Sequence, residues 1–208
     1  MKTALTQPQI DVLYTIFAEF DAAAAEVGLP YSMAAGTALG AVRHAGLIPW
    51  DDDGDLYAVN HQFMSLIYTL WTACKKRNLR IEMHQLDGIP AQGWYKIYLE
   101  GHTIPNVDVF LLAKEDGGAY HLANASARTW WPKESLWPDQ LARVERVPFG
   151  PLSLPLFGNA QDYLSRVYGH DWHSVAWDGY DHVNEKMRAP RSNARHIASY
   201  APALPSWS

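Results

Sequence analysis

Apolar residues recur at helical spacing from Ile10 through Leu13, Tyr14 and Phe17. Thr6-Gln7-Pro8-Gln9 in front of them has capping-box form, with a proline in the first turn. Gly28, followed by Pro30, marks a stop, so the pattern predicts a helix to about Val27. Tyr31 to Ala34 reads as a short strand, and Gly36-Thr37 as a tight junction into a helix of small residues, Ala38 to about His44. A second amphipathic helix is predicted from Phe63 to about Lys76, then a strand from Leu79 to His84. From Trp94 to Glu100 the chain alternates, with Tyr95, Ile97 and Leu99 on one face and Trp94, Lys96, Tyr98 and Glu100 on the other. Asn106 to Leu112 is a further strand, and Gly101 in the connection suggests a hairpin between these two.

Ala113 to Pro155 shows no period and is rich in Trp and Pro, so it is expected to be irregular. Asn159 is placed as the cap of a last helix, Ala160 to Tyr168, closed by Gly169. Helices mixed with a few strands imply an α+β (mixed α/β) fold. The 208 residues fit one domain over residues 1–188 and a C-terminal tail over 189–208 that wraps the surface or is loosely ordered.

Composition narrows the function classes. Hydrophobic residues make up 48% and charged residues 19%, the balance of a globular chain with a sizeable core. A formal net charge of -5 argues against broad nucleic-acid binding, and no nucleic-acid partner is expected. Cys74 is the single cysteine, which excludes an intramolecular disulfide and cysteine-rich zinc sites. The N-terminal stretch lacks the apolar run of a secretory signal, and no apolar run is long enough to cross a bilayer. A cytoplasmic location is the default expectation, with peripheral membrane contact only through an acceptor.

Candidate chemistry centres on Asp51-Asp52-Asp53-Gly54-Asp55. Two unit charges ~4 Å apart repel by about 4 kcal/mol at an effective dielectric of ~20. Holding four carboxylates together therefore calls for a counter-charge, and a hard divalent cation suits carboxylate oxygens best. On a strand, Asp51, Asp53 and Asp55 would share one face, with Asp52 and Gly54 on the other. An acidic turn between elements accounts for the run as well. An EF-hand loop does not: counted from Asp51 it needs Gly at position six and Glu at position twelve, where the chain has Leu56 and Gln62.

Asp108 stands inside an apolar run, where a carboxylate is costly unless it is paired or binds metal. A hydrogen-bonded structural role is one reading. The other sets Asp108 beside Asp53 and Asp55 on a neighbouring strand, three carboxylates around one or two Mg²⁺ ions, as in phosphoryl or nucleotidyl transfer. Gly36-Thr37 at a helix start and Arg43, with His44 beside it, are then candidate phosphate contacts, as is Lys96; a solvated surface role is the alternative for each. Nine tryptophans and eleven tyrosines add a candidate aromatic surface for a quaternary ammonium or a sugar, from Trp94, Tyr98, Trp130, Trp131 and Trp137, with Trp130-Trp131 as an exposed pair.

The stretch Ala35-Gly36-Thr37-Ala38-Leu39-Gly40-Ala41-Val42-Arg43-His44, continued by Ile48-Pro49-Trp50-Asp51-Asp52-Asp53-Gly54-Asp55, resembles the signature of the LicD family, which includes bacterial phosphocholine transferases and the fukutin-type ribitol-phosphate transferases. Asn106-Val107-Asp108-Val109-Phe110 resembles its second acidic strand, and Tyr168-Gly169-His170-Asp171-Trp172 its closing motif. The resemblance implies a nucleotidyltransferase-like fold, a mixed sheet flanked by helices. It implies transfer of a phospho-alcohol from a CDP-alcohol donor to a sugar hydroxyl of a glycan or lipid-linked acceptor, with Mg²⁺ or Mn²⁺. Asp53, Asp55 and Asp108 fall at metal-binding and catalytic positions and Asp51 at a supporting one; Gly36, Thr37 and Arg43 fall in the phosphate-facing segment, and Trp50 near the substrate. Asp108 is the expected proton acceptor. The family usually carries Ile or Val where this chain has Gly54, and a small residue near Tyr57. Gly54, facing away from the carboxylates, is expected to weaken strand packing.

Overall fold

In the computed structural model, which describes residues 5–84, 94–177, 180–181, 186–187, 191 and 193–208, the chain opens with helix α1 (Gln7–Val27). The Gln9 side chain reaches back to accept from the Thr6 N–H at 2.9 Å, and Gly28 in the left-handed region (φ 70°) ends the helix. Strand β1 (Tyr31–Met33), helix α2 (Ala35–His44), strand β2 (Gly54–Val59), helix α3 (Asn60–Lys76), and strands β3 (Leu79–His84), β4 (Trp94–Leu99) and β5 (Val107–Lys114) follow.

These strands form a mixed sheet in the order β1-β2-β5-β4-β3. Only β2 and β5 run parallel; β1 with β2, β5 with β4 and β4 with β3 are antiparallel. The alternation read from sequence decides what each face carries. Leu56, Ala58, Val107, Val109, Leu111, Tyr95 and Ile97 point to one side and form the core with α1 and α3. Phe63 of α3 packs on Tyr95 with ring centroids 4.7 Å apart. Asp55, Tyr57, Asp108, Phe110, Lys96 and Trp94 point to the other side, which is open.

Gly54 corrects a sequence expectation. It is buried, and a Cβ there would lie 2.4 Å from Phe17 Cζ and 3.0 Å from Val107 Cγ2. The missing side chain is what lets α1 seat its phenyl ring on the start of β2, so Gly54 serves packing rather than weakening it.

The segment expected to be irregular is also ordered. It holds β6 (Tyr120–Leu122), α4 (Ala125–Trp130), β7 (Ser135–Leu136), α5 (Pro138–Leu141), and the hairpin β8 (Glu145–Phe149) with β9 (Leu152–Leu156). β6 extends the main sheet from the end of β5, and β7 pairs with β6. Elements this short carry too few residues to show a period. Helix α6 (Ala160–Tyr168) follows, with Asn159 itself left-handed (φ 52°) and making no side-chain cap. Short strands β10 (Val175–Ala176), β11 (Tyr180–Asp181), β12 (Lys186–Met187) and β13 (Arg195–His196) complete the chain, β10 pairing with β13 and β11 with β12.

The C-terminal segment wraps α1. Ala203 bridges to Leu47 and accepts a 3.0 Å hydrogen bond from Tyr14 Oη, and Asp11 receives the Ser206 N–H at 2.7 Å. The boundary expected at residue 188 lies outside the described residues. Among the described residues no helix is long and apolar enough to cross a membrane.

Candidate active site

The open face of the sheet is roofed by α4, the end of α6 and the segments around β10 and β13, leaving a cavity of about 1040 Å³. Its floor is the β2–β5–β4 register. Asp55 is the direct partner of Asp108, and Asp108 of Lys96, so three charged side chains stand side by side across three strands.

Asp55 is held from the N-terminus of α2. Its N–H donates to Thr37 Oγ1 at 2.8 Å, its carbonyl accepts from Ala34 N–H at 3.0 Å, and its Oδ2 accepts from Gly36 N–H at 3.1 Å. A Cβ at Gly36 would lie 2.6 Å from Asp51 Oδ2 and 3.3 Å from Asp55 Oδ2, so a side chain there would displace the Asp51 carboxylate from the helix start. The Gly36 N–H and the Thr37 oxygen, read from sequence as phosphate contacts, are thus engaged by Asp55.

Asp51, Asp52 and Asp53 precede the strand. The Asp51 N–H bonds back to Ile48 O at 2.9 Å, closing a turn after Pro49, and β2 begins only at Gly54. Strand alternation therefore does not apply to them. Asp52, expected to face away, joins its neighbours: one carboxylate oxygen from each of the three lies within 4.8 Å of the others.

Crowding of negative charge shows in the protonation equilibria. Burial, then Asp53, Asp51, Asp108 and Glu134, push Asp55 well above the usual carboxylate range. Burial also raises Asp108, to about 7, although Lys96 pulls the other way. Lys96 Nζ lies 2.9 and 3.0 Å from the two Asp108 oxygens, and Asn106 Nδ2 donates to Oδ1 at 2.6 Å. Burial works against the ammonium charge of Lys96, but Asp108 outweighs it and the pKa is raised. Lys96 is thus the counter-ion of Asp108, where a phosphate contact had been expected.

Arg43 lines the cavity and donates to Trp172 O at 2.8 Å. His44 does not line it: the ring is buried against Trp50 and Tyr200, and burial with the neighbouring Arg43 holds its pKa near 4, so it stays neutral. Trp50 has guanidinium carbons of Arg43 and Arg195 at 5.9 and 5.2 Å from its ring. Trp94, Trp130 and Trp131 all line the cavity; Trp94 is buried and the Trp130-Trp131 pair half-buried, while Trp137 is exposed and outside it. Tyr98 lies under Arg80, 4.9 Å from its guanidinium carbon.

Sequence reasoning missed Glu134. It is buried at the cavity wall, and Tyr57 and Tyr163, both fully buried, donate to its carboxylate. Tyr163 Oη also accepts from the N–H of Ala35, the left-handed first residue of α2 (φ 36°), tying this network to the helix that holds Asp55. In sequence, Pro132-Lys133-Glu134-Ser135 looks like a solvated loop, so nothing flags it. Arg191 and Arg195 also reach the cavity from the C-terminal segment, where the sequence suggested only a tail.

A mixed sheet bearing paired carboxylates on adjacent strands, with an aspartate loop before the first and a helix N-terminus packed on it, is a nucleotidyltransferase-like arrangement. The chain belongs to the LicD/FKTN/FKRP nucleotidyltransferase-domain family, which it matches over residues 28–157. The lipopolysaccharide cholinephosphotransferase LicD of Haemophilus influenzae is 36% identical over 67 residues, 32% of this chain and 25% of that protein, so the match spans a quarter of that relative's length. Among solved structures, terminal uridylyl transferase 4 from Trypanosoma brucei with bound GTP aligns with a TM-score of 0.30 at 12% identity, over 51% of this chain and 31% of that one.

Proposed function

We propose that this protein is a divalent-metal-dependent phosphotransferase that moves a phospho-alcohol from a CDP-alcohol to a sugar hydroxyl of a glycan or lipid-linked acceptor. The observation that carries the reading is the register of Asp55 with Asp108 on neighbouring parallel strands, both facing the cavity beside the Asp51–Asp53 loop.

The residues fit a hard cation. The donor set is all carboxylate oxygen, and a divalent charge would offset both the burial and the neighbouring carboxylates that raise Asp55. Asp53 would hold it with Asp55 and Asp108 from the adjacent strands and Asp51 in support; among the described residues the carboxylates already gathered within 4.8 Å of one another are Asp51, Asp52 and Asp53. When bound, Mg²⁺ or Mn²⁺ supplies charge neutralisation for the donor's diphosphate.

The chain's own groups account for the remaining work. Arg43 and Arg195 set positive charge beside the acidic loop, where the donor's phosphates would lie. Asp108 faces the cavity and would accept the proton of the attacking hydroxyl at one carboxylate oxygen, while Lys96 and Asn106 hold the carboxylate in place. CMP would leave.

A thermal-shift panel tests this. CDP-choline, CDP-ribitol or CDP-glycerol with Mg²⁺ at about 100 times Kd should stabilise the native state by about 2.7 kcal/mol. That corresponds to about 5–11 °C for a chain of this size. Stabilisation by CTP or ATP and by no CDP-alcohol would instead mean transfer of the nucleotide itself. Metal binding with no nucleotide response would mean a non-catalytic site.

A further inference from the structure

The cavity is chemically divided, and Asp108 stands on the dividing line. On one side are the acidic loop, Arg43, Trp50 and Arg195, the ionic half. On the other, one alternation step along the strands from the Asp108–Lys96 pair, is the cross-strand pair Phe110–Trp94, with rings 5.4 Å apart. Trp131 from the end of α4 meets Phe110 edge-on at 5.8 Å, and Trp130 meets Trp131 at 5.6 Å. Sheet floor and α4 thus form two sides of an aromatic corner, and its near edge lies about 7 Å from Asp108 at two residues of strand rise.

We infer that this corner, Trp94, Phe110, Trp130 and Trp131, is the subsite for the acceptor sugar, seating a pyranose ring with one hydroxyl toward Asp108. The inference rests on the phosphotransferase reading for its place in the reaction, though not for the binding itself. A charged diphosphate belongs in the ionic half; an uncharged ring with apolar C–H faces belongs on the aromatic half. Two observations favour a sugar here over the cationic head of a donor alcohol. Lys96, already an ammonium, is next to Trp94 on the same strand face. The Trp94 indole N–H is buried and has no hydrogen-bond partner among the described residues. Sugar oxygens can accept from that N–H, and a quaternary ammonium offers no acceptor.

The test reads indole N–H signals of the ¹⁵N-labelled 208-residue protein by NMR. Probes are methyl glycosides of glucose, galactose and N-acetylglucosamine, with tetramethylammonium as the contrast and CDP-choline with Mg²⁺ as a separate arm. At least one glycoside should shift the Trp94 signal, which Trp94→Phe identifies by its loss. Trp94→Phe keeps a ring while removing the donor, and should weaken that glycoside roughly fivefold, about what one neutral hydrogen bond contributes. Trp131→Ala should weaken it further, leaving the affinity for CDP-choline unchanged. No shift by any glycoside in a protein that binds CDP-choline overturns the subsite and leaves the phosphotransferase reading standing. A shift by tetramethylammonium and none by glycosides overturns it in favour of the donor's alcohol. Glycoside binding without any CDP-alcohol binding keeps the sugar subsite and removes the phosphotransferase reading.

Discussion

Replacing Gly54 by alanine isolates the contact that seats α1 on the sheet beside the acidic loop. The new Cβ would stand 2.4 Å from Phe17 Cζ. Ordinary contact begins at 3.4 Å, so the ring must retreat by 3.4 − 2.4 = 1.0 Å. It has little room to do so, because Phe149 packs edge-on against it with centroids 5.3 Å apart and both rings are buried. Overpacking of a tight core costs about 1–3 kcal/mol. Gly54 has no positive φ, so the backbone accepts alanine, and the smaller entropy of the unfolded chain returns about 0.4–1 kcal/mol. The net expectation is a loss of about 1–2 kcal/mol, taking the larger of these terms to win. For a chain of this size that lowers Tm by about 2–8 °C. Urea unfolding of Gly54→Ala, Phe17→Leu and the double variant measures it. Phe17→Leu removes the clashing ring edge, so the double variant should be less destabilised than the summed singles by about 1 kcal/mol. A Gly54→Ala protein as stable as wild type, or strictly additive variants, would refute the packing role of this glycine.

Asp108→Asn should fold, with turnover reduced at least 10²-fold, the usual scale for loss of a general base; steady-state transfer assays check it, and retained turnover excludes Asp108 as metal ligand and as proton acceptor. Glu134→Gln turns one acceptor oxygen into a donor facing two tyrosine hydroxyls. It should cost about 1–3 kcal/mol in urea unfolding, the penalty of leaving a buried polar group mispaired. The third expectation concerns pH. The folded pKa of Asp108 is about 7 against an unfolded 3.8, so the native state holds the extra proton and stability falls as pH rises through 7. Asp55 acts in the same direction. His44, with a folded pKa of about 4 against 6.5, has the opposite sign, but its effect is confined below about pH 6.5. Metal-free protein should therefore lose stability from Asp108 as pH rises from about 4 to about 7, partly offset by His44 below about pH 6.5; Mg²⁺ should restore stability at pH 7 and above, and Asp108→Asn should flatten the decline.

Much of the molecule is written locally. Helices α1 and α3 and strands β4 and β5 are long enough for their periods to show, and the alternation of β4 assigns Lys96 and Trp94 to one face before any partner is known. The acidic run and the lone Asp108 were legible as a site because carboxylates in such settings need a counter-charge whatever the fold. What the sequence could not supply was pairing. Only the tertiary structure sets Asp55 beside Asp108, hands Lys96 to Asp108 as its counter-ion, and curls Asp51 to Asp53 out of strand alternation so that Asp52 joins them. Only burial, which comes from distant segments, turns Glu134 from an apparent loop residue into the acceptor for two tyrosines. Gly54 shows the division most clearly. Its identity is local, but its reason is a phenyl ring 37 positions earlier in the chain, brought against it by the packing of α1 on β2. Residue type and period are properties of a segment; partner, burial and pKa are properties of what the fold brings next to it.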